Sequence, residues 1–293
     1  MIRPSLRQLS YLIAIEEQGS FVAAAEHCGV TQSTLSAGIK ELETILEQQL
    51  VIRGKKQARL HPFGIEVVEQ SRKILMDTDR IVLRSKHLLE PMSGPLRLGM
   101  IPTISPYMLP SLLPKLTQKF PNLEVQIFED LTEKLLEMLQ ASQIDVALMA
   151  FPYETPGMTQ FMLFEEPFFA ALPSNFDFND DTIKISELRP DRLLLLEDGH
   201  CMRDHALSAC DLQLPRQRKT FSATSLPTVI QMVRAGYGMT LLPEMACRDG
   251  NLPADIRLVP FAGTDIPSRV IGLSWRVNDP RREDYETLAR GLL

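Results

Sequence analysis

The chain has 293 residues, 44% of them hydrophobic and 23% charged, with a net charge of -6. Such a composition excludes a fibrous or disordered protein, and the length suits two or three domains rather than one core. With seven Lys or Arg against six Asp or Glu, residues 1–62 carry a slight positive balance, whereas the remainder holds 24 against 31. The N-terminal segment is therefore where a polyanion would bind. No run of about 18 apolar residues occurs, and Met1-Ile2-Arg3-Pro4-Ser5-Leu6 lacks an apolar signal core, so a cytoplasmic protein with no membrane partner is expected. Four cysteines, Cys28, Cys201, Cys210 and Cys247, are too sparse for a secreted disulfide scaffold.

From Ser5 to Gln18, Leu6, Leu9, Leu12 and Ile13 recur at helical spacing, and Gly19 stands at the stop position. Ser20 can cap a second helix, Phe21 to Cys28, with Phe21, Ala24, Ala25 and Cys28 inward. Gly29 supplies a turn, and Thr31 opens a third helix with Leu35, Ile39, Leu42 and Leu46 inward. After Thr31, residues Gln32, Ser33, Thr34, Ser36 and Lys40 lie outward. Short polar side chains at a helix start let backbone amides and side chains both reach phosphates and base edges. A capped, solvent-facing helix is the plain alternative. Arg53, Lys55, Lys56 and Arg59 follow in a segment that can form a hairpin wing against the phosphate backbone.

Phe21-Val22-Ala23-Ala24-Ala25-Glu26, Val30-Thr31-Gln32-Ser33-Thr34-Leu35-Ser36 and Ile39-Lys40-Glu41-Leu42-Glu43 resemble the winged helix-turn-helix of LysR-type transcriptional regulators. The resemblance implies double-stranded promoter DNA as partner.

Between Phe63 and Leu89, Val67, Ile74, Ile81 and Leu88 repeat at sevens beside Val68, Leu75, Val82 and Leu89, with Ser71, Thr78 and Ser85 between them. A seven-residue repeat keeps one stripe on a partner helix and predicts a homodimer, the alternative being a helix packed on its own domain. Pro91, Gly94 and Pro95 close the helix.

Leu96 to Ile101, Leu123 to Phe128 and Asp145 to Ala150 read as strands, separated by helices over 109–119 and 132–142. This alternation predicts parallel βαβ units. It resumes after Phe168, with Ile185 to Leu188, Leu193 to Leu196, a helix over 225–235, strand Met239 to Leu242 and a last apolar run Val270 to Trp275. Two α/β lobes with a cleft are expected, with cleft residues Thr103 and Gly199 to Cys201 after strand ends. The division is a winged helix-turn-helix over 1–62, a linker helix over 63–92 and a regulatory domain over 93–293; its first lobe takes about 95–168 plus 270–293, its second about 169–269.

Within that domain, Cys201 and Cys210 stand nine positions apart, with His200, Arg203 and His205 around the first. Cationic or hydrogen-bond-donating neighbours favour a thiolate, which points to Cys201 as an attacking thiol and Cys210 as a resolving one. Inert buried cysteines, a zinc site from His200, Cys201, His205 and Cys210, and a thiol peroxidase are the alternatives on the residues alone. Cys28 reads as a core residue, and no partner can be named for Cys247.

Ile101-Pro102-Thr103, Leu195-Leu196-Glu197-Asp198-Gly199-His200-Cys201, Arg203-Asp204, Cys210, Ala223-Thr224-Ser225-Leu226 and Gly238-Met239-Thr240-Leu241-Leu242-Pro243 are similar to the peroxide-sensing OxyR group of that family. The resemblance implies a periplasmic-binding-protein-like regulatory domain, a homotetramer, contact with RNA polymerase, and no cofactor. It also implies that peroxide oxidises Cys201, that Cys210 closes a disulfide, and that a cellular dithiol reopens it. Thr103, Thr132 and His200 would then hold peroxide or water, Asp204 would act in release of the reduced arrangement, and Arg269 would lie near the sulfur. A regulator answering a small organic effector in the same cleft, its cysteines incidental, is the second expectation.

Overall fold

Ser5 opens the first helix with a reciprocal cap: Gln8 N–H donates to Ser5 Oγ at 3.3 Å and Ser5 N–H to Gln8 Oε1 at 2.8 Å. The chain, described by a computed structural model over residues 2–54, 57–210, 222–248 and 252–292, forms two compact units, Met1–Leu89 and Glu90–Leu293. For residues 53, 80, 83–89, 209 and 222 only the backbone is described.

In the first unit, α1 (Leu6–Gln18) ends at Gly19 in the left-handed region, φ 65°. The second helix, α2 (Phe21–His27), is capped by Ser20, and α3 (Gln32–Leu46) by Thr31. Strands β1 (Val51–Arg53) and β2 (Ala58–Leu60) pair antiparallel, and α4 (Pro62–Leu89) follows. Leu12, Ile15, Ala24, Leu35, Ile39, Leu42 and Val68 are in its core. The small Ala24 and Ala25 let α2 sit close on its neighbours, and Cys28 packs at the edge.

The start of α4 packs on its own unit, and its later residues do not. Val68 and Ser71 are buried within their own unit, and Arg72 pairs with Glu16 at 2.6 Å and Glu17 at 2.8 Å. Ile74, Ile81 and Val82, further along, are exposed.

In the second unit β3 (Gly94–Met100), α5 (Ser105–Lys119), β4 (Leu123–Glu129), α6 (Thr132–Gln140) and β5 (Val146–Phe151) make the expected parallel βαβ pair, with β3 between β4 and β5. After it comes β6 (Met158–Pro173), then β7 (Leu195–Leu196), α7 (Cys201–Ala209), β8 (Ser222–Ala223) and α8 (Leu226–Arg234). The chain continues as β9 (Thr240–Pro243), α9 (Glu244–Cys247), β10 (Ile256–Pro260), β11 (Ser268–Arg276) and α10 (Arg282–Leu292).

Seven of these strands form one mixed sheet in the order β10-β6-β11-β5-β3-β4, with β9 also on β6. Parallel pairing does not extend through the whole unit. β11 runs antiparallel to both β5 and β6, and β6 antiparallel to β9 and β10. The long β6 pairs with β11 over Met158 to Pro167 and with β9 and β10 over Phe168 to Pro173. Two cores result: Leu98, Met100, Leu135, Leu148 and Trp275 belong to one, Phe168, Leu172, Leu195, Val229 and Leu241 to the other.

Candidate functional site

At the start of α3, Thr31 Oγ1 accepts the Thr34 N–H at 3.2 Å and bonds the hydroxyls of Ser33 and Thr34 at 2.9 and 2.8 Å. Thr31, Gln32, Ser33, Thr34 and Lys40 are exposed and Ser36 half-buried, while Leu35, Ile39 and Leu42 on the other side are fully buried. The result is a rigid helix start bearing hydroxyls and an amide, with the positive end of the helix dipole behind them. Glu43 Oε1 accepts the N–H groups of Leu50 and Val51 at 2.9 and 3.2 Å, and Ala58 N–H donates to Gly19 O at 2.8 Å, fastening the β1–β2 wing to α3 and to the end of α1. Arg59 is exposed on the wing and Arg53 lies in β1; Lys55 and Lys56 fall outside the described residues.

The thiol pair occupies the two ends of α7. Cys201 is the first residue of the helix, after the N-cap His200, and Cys210 is its C-cap. Both sulfurs are free and both residues buried. They belong to different cores, Cys201 to the first and Cys210 to the second. Nine residues of helix span about 13 Å, while a disulfide needs Cα atoms within about 7 Å, so the pair cannot close while α7 stays helical.

Burial pushes the Cys201 thiol above its ordinary value of 9.0, against the pull of the Thr132 hydroxyl, the Arg269 guanidinium and the Met202 backbone N–H. The Cys210 thiol has burial alone and is pushed up to about 12. The asymmetry between the two sulfurs is present, but its source is not the side chains of His200 and Arg203. Arg203 Nη1 donates to Leu196 O at 3.2 Å and Nε pairs with Asp198 at 3.0 Å, so its charge is spent on the approach to the helix. Burial holds His200 below its ordinary 6.5, which disfavours the charged ring beside the sulfur.

The cation beside the sulfur is Arg269 of β11, 1% exposed. Its Nε donates to Glu166 of β6 at 2.8 Å, Nη1 to Thr103 Oγ1 at 2.9 Å and Nη2 to Thr103 O at 3.1 Å. Glu166 also accepts the Met245 N–H at 2.8 Å. This buried carboxylate was not anticipated from the sequence; its one signal is an acid inside the apolar run that ends β6.

In front of Cys201 lies a cavity of about 10 Å³, room for one water-sized molecule. Ile101, Pro102 and Thr103 wall it after β3, Leu131 and Thr132 at the start of α6, and His200, Cys201 and Met202 at the start of α7. Thr132 Oγ1 is buried with no nitrogen or oxygen partner and leans on the sulfur. Of the candidate pocket residues, Thr103, Thr132 and His200 therefore line this space, and Arg269 backs it through Thr103. Gly199, Arg203 and Asp204 are not in its wall: Gly199, at φ 96°, turns the chain into α7, and Asp204 is exposed. Among the described residues no group of three or more His, Cys, Asp or Glu is placed to hold a metal ion, and no helix is long and apolar enough to cross a membrane.

Residues 6–65 match the model of the bacterial regulatory helix-turn-helix proteins of the lysR family, and residues 90–293 that of the LysR substrate binding domain. The transcriptional regulator EstR of Acinetobacter baylyi is 36% identical over 97% of this chain and 95% of its own length. The dual regulator OxyR of Escherichia coli K12 is also 36% identical, over 98% and 94%. Among solved structures, a cysteine-to-aspartate variant of full-length OxyR from Pseudomonas aeruginosa matches with a TM-score of 0.73 at 32% identity, covering 99% of this chain and 98% of that one. A cysteine-to-serine variant of Corynebacterium glutamicum OxyR with hydrogen peroxide bound matches with a TM-score of 0.66 at 33% identity, covering 99% and 92%. Reading helix, wing, two-core regulatory unit and both family models agree along the whole length: the chain belongs to the LysR family of bacterial transcriptional regulators.

Proposed function

We propose that this regulator senses hydrogen peroxide through Cys201 and Cys210 and controls antioxidant genes. The observation that carries the reading is the cavity at Cys201: it admits one small polar molecule, offers the Thr132 hydroxyl to it, and has a guanidinium behind it. A thiolate at Cys201 attacks one peroxide oxygen, the O–O bond breaks, and hydroxide leaves to become water on protonation, leaving a sulfenic acid. The Cys210 thiol then displaces the hydroxyl, forming the S–S bond and releasing a second water. A dithiol of the cell supplies the two electrons that reopen the bond. Each oxidising event changes the protein itself, and the chain is a switch rather than a turnover enzyme.

In this reading residues 1–62 bind promoter DNA, 63–92 pair with a second copy, and 93–293 sense, with lobes over about 95–168 plus 270–293 and about 169–269. Thr31, Gln32, Ser33, Thr34, Ser36 and Lys40 face the major groove, with Arg53, Lys55 and Lys56 toward phosphates. The exposed Ile74 and Ile81 on α4 support the dimer, and two dimers make the tetramer that meets RNA polymerase in the cytoplasm. Gly199, Arg203 and Asp204 serve the turn and the release of α7 rather than the peroxide itself.

The full-length likeness to EstR, whose name mentions no peroxide, gives a second reading: a small organic effector bound in the cleft. Acid-quenched protein, unfolded and labelled with iodoacetamide, separates the two. Peroxide treatment removes two labels, at Cys201 and Cys210, in the first reading. Unchanged labelling, with a metabolite altering DNA contacts of the Cys201→Ser, Cys210→Ser protein, establishes the second.

A further inference from the structure

We propose that His205 is the latch of the thiol switch: its bond to Pro152 holds α7 in the reduced register and so sets the potential at which Cys201 and Cys210 pair. The inference rests on the disulfide reading above.

His205 follows Cys201 by four positions and so shares its face of the helix. Its Nε2 lies 2.8 Å from Pro152 O, in the loop after β5, 53 positions away in the chain. A carbonyl oxygen only accepts, so Nε2 carries the hydrogen and Nδ1 is a bare acceptor. That Nδ1 is buried and has no partner. A buried acceptor without a donor is a standing cost, which an apolar side chain of similar size would avoid. What the imidazole contributes is therefore its donor, aimed at Pro152.

The remaining attachments of α7 make that donor count. Its N-cap supplies no side-chain bond to the first turn, and Arg203 bonds back to its own approach segment. On the neighbouring face, Met202 and Ala206 border a second cavity of about 10 Å³ against Leu195, Leu226 and Leu241, so the helix packs incompletely on the second core. A nine-residue helix fastened this way has little intrinsic stability. Condensation of the Cys201 sulfenic acid with the Cys210 thiol forms S–S and releases water, and it requires α7 to leave the helical register. The His205–Pro152 bond breaks with it. Removing that bond in advance destabilises only the reduced arrangement, which makes the disulfide easier to form and harder to reduce.

The experiment uses full-length protein as parent, His205→Leu, His205→Ala and His205→Gln, whose amide can donate to the same carbonyl. Each is equilibrated in dithiothreitol redox buffers, trapped, and its Cys201–Cys210 bond counted by mass. At a fixed buffer the leucine and alanine variants should raise the oxidised-to-reduced ratio about tenfold, a midpoint lower by about 30 mV. Glutamine should return the ratio to within about threefold of the parent. Melting should fall in the reduced leucine and alanine proteins and stay unchanged in their oxidised forms, which a general packing role would not produce. If leucine alone fails to fold, alanine against glutamine decides. Equal potentials in all proteins, or equal shifts in all three variants, overturn the latch while leaving the disulfide reading intact. If the parent forms no Cys201–Cys210 bond, the disulfide reading falls and the latch with it.

Discussion

Two helix starts in this molecule are built in opposite ways. The 15-residue α3 begins at Thr31, whose hydroxyl accepts the Thr34 N–H, and it presents exposed polar groups over a fully buried row of Leu35, Ile39 and Leu42. The nine-residue α7 begins at His200, which gives no side-chain cap, and its first residue is a buried cysteine in one core while its last turn leads to a cysteine in the other. Under the proposed function the contrast separates reading from switching. A reading helix must keep its shape against DNA, so its ends are satisfied locally and its register is fixed by deep burial. A switching helix must be able to leave its shape, so its ends are under-fastened and its two faces serve different cores.

The largest effects should come from the buried supports of each helix. Arg269→Met leaves Glu166 without its ion-pair partner in the interior, and should cost about 3–5 kcal/mol of stability in the regulatory unit, read by urea unfolding. It should also slow alkylation of Cys201 in whatever protein stays folded, since the cation beside the sulfur is gone. Faster alkylation would contradict the placement of Arg269.

Leu35→Ala should cost about 2–5 kcal/mol in the N-terminal unit and abolish specific DNA binding by gel shift, with the Cys201–Cys210 chemistry untouched. A smaller loss, about 1 kcal/mol, is expected for Thr31→Ala, which removes the cap from α3. The reverse operation, His200→Ser, gives α7 a cap of the same kind and should slow disulfide closure after Cys201 has been oxidised. If closure is as fast as in the parent, the under-fastened start of α7 has no bearing on switching.

The smallest effect is in pH dependence. Burial lowers both His200 and His205 from 6.5. Each therefore binds its proton less readily folded than unfolded, so its contribution to stability is present above about 6.5 and is lost as pH falls below it. Thermal melts of the reduced protein should show the midpoint dropping on acidification from pH 7.5 toward 5. His205→Gln should flatten part of that drop, and an unchanged curve would mean that His205 is not buried in solution.

The reading half of the molecule was largely legible in the sequence because its signals are local. Ser5, Ser20 and Thr31 all cap the helices they precede, and Gly19 takes the left-handed turn that ends α1. The regulatory half was legible where strand and helix alternate, up to β5. Beyond it β6 escaped notice, because Glu165, Glu166 and Pro167 interrupt its apolar pattern, and β11, with a register shift at Ile271/Gly272, meets it from far along the chain.

The site divides the same way. Cys201, Cys210, His200 and Thr132 carry signals in their immediate neighbourhood or in the family resemblance. Arg203 misled as a neighbour of the sulfur, since residues two apart on a helix point in different directions. The cation that faces Cys201 is delivered by β11, and the Glu166 that anchors it lies directly across the strand pair from Arg269. Only the register of the sheet could reveal that partnership.

That register has a further consequence. β6 pairs with β11 over Met158 to Pro167 and with β9 and β10 over Phe168 to Pro173, so one continuous strand serves first one core and then the other. A protease cut or an insertion between Met158 and Pro173 would break a strand that belongs to both cores. The two halves of the sensor share this strand, and a crossover between relatives placed within it would divide the one element common to both.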